Sequence, residues 1–165
     1  MEKVYVDDTM LVSGGKRFGN YVIDLIIQYA LAYGLGYIAV LLYELFEYDS
    51  FYNWISEMGK IEEYLLGWAI SFVFYSIFEG LLQRTPGKFI TRTRVVMGDG
   101  CKPPFGKILL RSVCRFIPFE HFTFFGDYSR GLHDRLSDTY VVDINAYEHA
   151  VRMKQSFEEI GTTDY

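Results

Sequence analysis

The chain has 165 residues; hydrophobic residues make up 50%, charged residues 22%, and the formal net charge is -5. That length fits one domain or at most two, and that composition excludes a disordered or collagen-like chain, because disorder needs low hydrophobicity and high charge. The acidic balance also argues against a general nucleic-acid binder, whose surface is basic.

Aromatic residues (14 Tyr, 14 Phe and 2 Trp) are abundant. Rings at that density suit a large core or a membrane interface, where amphipathic side chains gather. The opening MEKVYVDDTM carries acids where a signal peptide carries bases, so no leader is expected there. Residues 1–20 are polar and mixed; Gly14-Gly15 reads as a loop, and Lys16-Arg17 sit just before the first apolar run.

Leu25 to Tyr43 reads LIIQYALAYGLGYIAVLLY, without a charge; extended back to Tyr21 it takes in Asp24. A helix crossing the hydrocarbon core needs about 20 apolar residues. Gly34 and Gly36 weaken a soluble helix but are common in membrane helices, and with Ala39 they offer a small-residue face for close helix approach. Residues 44–63 are acidic and aromatic, with Glu44, Glu47, Asp49, Glu57, Glu62 and Glu63 against Lys60. Tyr64 to Gln83 is a second apolar run whose single charge is Glu79.

The character then inverts. Arg84 to Arg115 holds eight basic residues and one acid, Asp99. Short loops rich in Lys and Arg stay cytoplasmic, so the pattern predicts two spans, about 21–43 and 64–83, with both termini inside and 44–63 outside. The competing reading is a soluble helical protein with two buried helices.

Within KFITRTRVVMGDG (88–100) β-branched residues alternate, and Asp99-Gly100 signals a hairpin. Thr139–Val142 is a second β-like run that could pair with the first. Residues 105–117, between Pro103-Pro104 and Pro118, read as an amphipathic helix with Lys107, Arg111 and Arg115 on one stripe. It is too short and too charged to span, and it suits the cytoplasmic interface, with residues 119–125 continuing it shallowly. Residues 144–160 read as a further helix in a soluble tail. Cys101 and Cys114 read as free thiols, and no metal site or cofactor motif is found.

Four pieces in order resemble one family. Arg17-Phe-Gly-Asn-Tyr-Val-Ile-Asp24 is similar to the R-x-x-A-x-x-I-D opening of the RDD family of bacterial membrane proteins. Thr85-Pro-Gly-Lys88 with Val95-Val96 and Asp99-Gly100 resembles its T-P-G-K, V-V, D-G segment; Arg111 matches the arginine of its next helix; Arg130 to Val142 resembles its closing R-x-L-H-D-R-x-x-x-T-x-V-V. The resemblance runs from about Arg17 to Val142. It maps the arginine and two aspartates for which the family is named onto Arg17, Asp24 and Asp134. Asn20 stands where the family has a small alanine, and Asp138 where it more often has glycine. The resemblance implies a multi-pass protein of the bacterial inner membrane, with transport, including sodium/proton exchange, suggested for some members.

The expected fold is therefore an all-α membrane protein with two transmembrane helices, a cytoplasmic-face amphipathic helix and a small β element. It divides into an N-terminal cytoplasmic segment (1–16), an RDD-like membrane domain (17–142) and a soluble C-terminal tail (143–165). Two helices cannot enclose a pathway, so a homo-oligomer or a larger complex is expected, with membrane lipids as further partners.

A carboxylate inside a span is costly, so Asp24 must be paired, protonated or hydrated. Arg17, seven residues earlier, shares its face but lies about 10 Å away along the axis, so contact needs a third group, for which Arg111 and Arg115 are candidates. Asp24 and Glu79 are the candidates for binding an ion or proton; facing each other at similar depth they would share one. The alternatives are an ion pair fixing helix register at Asp24, and a Glu79 that snorkels or pairs with Arg84. Asp134, between Arg130 and Arg135, suits a salt-bridge cluster. Lys107, Arg111 and Arg115 suit anionic headgroups or ion pairs. Thr85–Lys88 lacks P-loop spacing and reads as a turn. No motif for catalysis is present, which leaves two classes: an ion or small-ligand transporter, or a membrane scaffold recruiting partners at its cytoplasmic face.

Overall fold

The structure is a computed structural model and describes residues 4–117, 120, 123 and 130–162. Helix α1 (Gly14–Phe46) begins just after Ser13 and stops where Glu47 turns left-handed (φ 53°). At 1.5 Å per residue its 33 residues extend about 50 Å, well beyond the roughly 30 Å of a hydrocarbon core. Near its beginning Arg17, Asn20 and Asp24 recur at helical spacing and are buried. Helix α2 (Asp49–Ser56) follows at once and folds against the end of α1, stacking Tyr52 on Tyr43.

Helix α3 (Lys60–Leu82) starts at Gly59, whose N–H donates to Glu62 at 2.8 Å, a side chain closing the first turn from within. Like α1 it is buried chiefly near one end, through Phe74, Tyr75, Ser76, Glu79 and Gly80. Both helices are long and apolar enough to cross a membrane, yet only 11% and 22% of their most apolar stretches are buried. A core helix of a soluble protein is mostly buried. Here Ile26, Tyr33, Tyr37, Ile61, Tyr64 and Val73 all face outward, so the soluble alternative with two buried helices does not describe this fold.

Thr85-Pro-Gly-Lys88 does more than turn. Thr85 caps a short helix α4 (Pro86–Ile90), accepting from the Lys88 N–H, with Pro86 in the first turn, where its missing donor costs nothing. The expected strand therefore starts later than the alternation of 88–91 suggests. Strand β1 (Thr93–Met97) begins after Arg92, whose φ of 54° ends the turn. Its partner is not a hairpin across Asp99-Gly100 but β2 (Thr139–Asp143), antiparallel, with Val95 opposite Val141. The Asp99-Gly100 turn instead redirects the chain toward Pro103-Pro104.

The two-stranded sheet is covered on both faces. Val4, Met10, Val96, Val142 and Tyr147 form one apolar cluster, and Val12, Val95 and Val141 the other. The segment before α1 lies along the sheet, with Val12 N–H donating to Val141 at 3.2 Å. Helix α5 (Phe105–Cys114) packs on α3 and on α6 (Leu132–Ser137), and α7 (Ile144–Thr162) closes the chain. Most of the shallow continuation expected over 119–125 lies outside the described residues.

Helix α5 is amphipathic, as its sequence indicates, but it faces the other way. Arg111 and Arg115 are buried, whereas Phe105, Leu110 and Val113 are exposed. Of the basic stripe, Lys107 alone reaches the surface, 3.3 Å from Asp138.

Candidate functional site

The buried ends of α1 and α3, together with α4, α5 and α6, converge on a cluster of charged side chains. Glu79, fully buried, is its hub. Lys88 Nζ lies 2.5 Å and Arg115 Nη2 2.8 Å from Glu79 Oε1, while Arg111 Nε donates to Oε2 at 3.0 Å. The pairing with Arg84 weighed from the sequence is not what forms: Arg84 stacks over Phe89. Taking a carboxylate out of water is repaid only when its lone pairs are filled, and three cations fill them here.

Arg111 extends the network. Its other arm donates to Asp134 and to Thr139. Asp134 also accepts from Arg17 and, at 3.1 Å, from the Gly131 N–H that opens α6. The partners expected for Asp134 from its neighbours in sequence are thus replaced by partners 117 and 23 residues away. Arg130 donates to backbone carbonyls, of Thr139 at 3.2 Å and of Asp134 at 3.5 Å, and stacks on Tyr140. Burial raises the pKa of a carboxyl, but at Asp134 the Arg17 charge leads a group of cations that outweighs it and holds the acid well below its ordinary value.

Asp24 is held differently. Its Oδ1 accepts from the Gly87 N–H at 2.8 Å, and among the described residues no cationic side chain lies within 4 Å of it. Asp24 and Glu79 do not face each other as a bare pair; Lys88, bound to Glu79, acts on Asp24 as well. The close approach of α4 to α1 requires Gly87, since a Cβ there would lie 2.5 Å from the Asn20 carbonyl oxygen. Asn20 itself is buried, donating to Thr93 at 3.1 Å and accepting from Thr91 at 2.6 Å, so polar partners accommodate it where alanine is usual. Asp138 likewise explains its departure: it ends α6 with φ 51°, a conformation glycine adopts freely and aspartate tolerates.

Three participants carried no signal strong enough to place them. Lys88 reaches back to Glu79 across the break at Pro86. Thr139 sits where β2 begins. Glu120 accepts from the His133 backbone at 3.2 Å and pairs with its ring Nδ1, while the ring Nε2 lies 3.4 Å from Asp134. Burial, with Arg115 and Arg111 nearby, pushes His133 down to about 4 against the pull of Asp134. Its hydrogen bond holds Glu120 at about 2 despite burial. At neutral pH the imidazole is therefore uncharged and both carboxylates are ionised.

A cavity of about 20 Å³ touches Asp24, Arg17, Lys88 and Arg115. Beyond it, between the facing sides of α1 and α3, lies an open groove of about 790 Å³, and Tyr21, Tyr75 and Arg115 line both.

A model of the RDD family matches residues 11–138. The chain belongs to the RDD family. The match covers Arg17, Asp24 and Asp134 and ends just before β2. No curated protein and no solved structure matches. Membership and the two apolar helices suggest a membrane protein, and the family's charged residues form an internal, mostly ion-paired cluster where the helices meet the sheet.

Proposed function

We propose that this RDD protein spans the bacterial inner membrane twice with both termini cytoplasmic, and takes part in moving an ion or small ligand as an oligomer or as a subunit of a larger complex. The outward apolar faces of α1 and α3 support the membrane reading. The acidic 44–63 segment between them and the basic residues at their other ends support the orientation. Exposed Phe105, Leu110 and Val113 fit α5 to the lipid interface, with Lys107 near the headgroups.

The observation that carries transport is Asp24. It is a buried carboxylate in a span, held by a backbone N–H rather than an ion pair, beside a cavity that shares walls with the groove between the spans. Such a group can exchange a proton without dismantling the network around Glu79. A bare metal cation suits the position less, because Arg17, Lys88 and Arg115 ring the same cavity.

The test is ion-driven pH change in proteoliposomes, wild type against Asp24→Asn at matched reconstitution. Sodium-driven pH change in the wild type, abolished in the variant, is the expected result. Absence of flux from folded, oriented protein across several cations would overturn it in favour of a non-catalytic scaffold or accessory subunit. One observation favours that second reading: Glu79 and Asp134 are fully committed to internal cations.

A further inference from the structure

The cavity beside Asp24 is more than a packing defect. Arg17 Nη2 and Arg115 Nε belong to side chains only 3% and 6% exposed, and neither nitrogen has a hydrogen-bond partner. Both residues line this one cavity, together with Asp24, Lys88, His133 and Val141. Other nitrogens of the same groups are engaged: Arg17 donates from Nε to the Val12 carbonyl at 3.3 Å and from Nη1 to Asp134, and Arg115 from Nη2 to Glu79 at 2.8 Å. Buried polar groups are almost always paired, and a charged donor left bare is heavily penalised.

We propose that the cavity is a built hydration site in which one water molecule accepts from Arg17 Nη2 and Arg115 Nε and donates to the Asp24 carboxylate. Size and chemistry both select water. A buried water needs at least about 10–15 Å³ and two to four polar partners, so a volume of about 20 Å³ takes one molecule. A halide could accept from both guanidinium groups, but it would meet the Asp24 carboxylate as a like charge. A water turns its hydrogens toward that carboxylate, which accepts from the Gly87 N–H and the Thr85 side chain and still has lone pairs to offer. The bridge also solves the spacing problem on α1, linking Arg17 to Asp24 across two helical turns with Arg115 as the third group. It stands independently of the transport proposal, because its tests read density and stability rather than flux.

The direct test is a high-resolution crystal structure of the wild type grown with bromide. Oxygen density within hydrogen-bond reach of both guanidinium groups, without an anomalous bromide signal, is expected. Absent density, or a bromide signal at that point, would overturn the proposal. Val141→Ile supplies a second measurement by pushing a methyl group into the cavity. Val12→Ile, in the same apolar cluster but away from the cavity, gives the cost of overpacking alone. Val141→Ile should melt roughly 5 °C below Val12→Ile, because two charged donors lose their acceptor. A Val141→Ile variant as stable as Val12→Ile would mean a dry cavity and sink the idea.

Discussion

The molecule has two interiors of opposite chemistry. Around the sheet, Val4, Met10, Val96, Val142 and Tyr147 make an ordinary apolar core. Where the long helices meet α4, α5 and α6, the interior is Arg17, Glu79, Lys88, Arg111 and Asp134, and the apolar side chains of α1 and α3 point outward. The first interior is stabilised by removing hydrocarbon from water. The second suits a region surrounded by lipid, where apolar surface gains little from burial and charges must find one another inside the protein. Position along the helices separates the two kinds of surface: a few turns of α1 and α3 carry the charges, and the remainder is left to the surroundings.

Breaking each interior at its centre sharpens the contrast. Glu79→Gln keeps the shape of the hub but leaves Lys88, Arg111 and Arg115 without its charge, and should cost about 3–5 kcal/mol. It would be read as loss of folded protein or a lowered melting midpoint in detergent. Val142→Ala, at the middle of the apolar core, should cost about 2 kcal/mol by the same measurement. If the apolar substitution proved the more damaging, the charged cluster would not be the structural centre of this fold.

The smallest effect tests the edge of the cluster with pH. His133 is held neutral, its pKa lowered to about 4 from 6.5. Stability from that group is complete above about pH 6.5 and is lost as pH falls toward 4, because the unfolded chain takes up the proton first. Between pH 7 and 5.5 the loss should be about 1 kcal/mol, seen as a falling melting midpoint, and His133→Asn should flatten the slope. The lowered Glu120 and Asp134 carboxyls act in the same direction at lower pH, below their ordinary values.

Much of this was legible from residue order. Two apolar runs of span length become α1 and α3, the β-branched stretches within 88–100 and 139–142 supply the paired strands, and Pro103-Pro104 mark the start of α5. Arg17, Asn20 and Asp24 share a face because helical spacing puts them there. Which way a face turns was not legible. The stripe of Arg111 and Arg115 suits headgroups or ion pairs alike, and packing makes the ion pairs to Glu79, because periodicity defines a face without naming its neighbour.

By itself the sequence determined the two long helices, the two β-like runs, the helix after Pro103-Pro104, the family and the separation of apolar runs from basic segments, since these depend on local spacing and composition. Only the tertiary structure decided the partners. Arg17 meets Asp134 rather than Asp24, Lys88 reaches back to Glu79, and Gly87 supplies the one backbone donor that holds Asp24. The physical reason is that a buried charge takes whichever counter-charge packing brings within reach, and packing joins residues 9 to 117 positions apart that no local pattern connects.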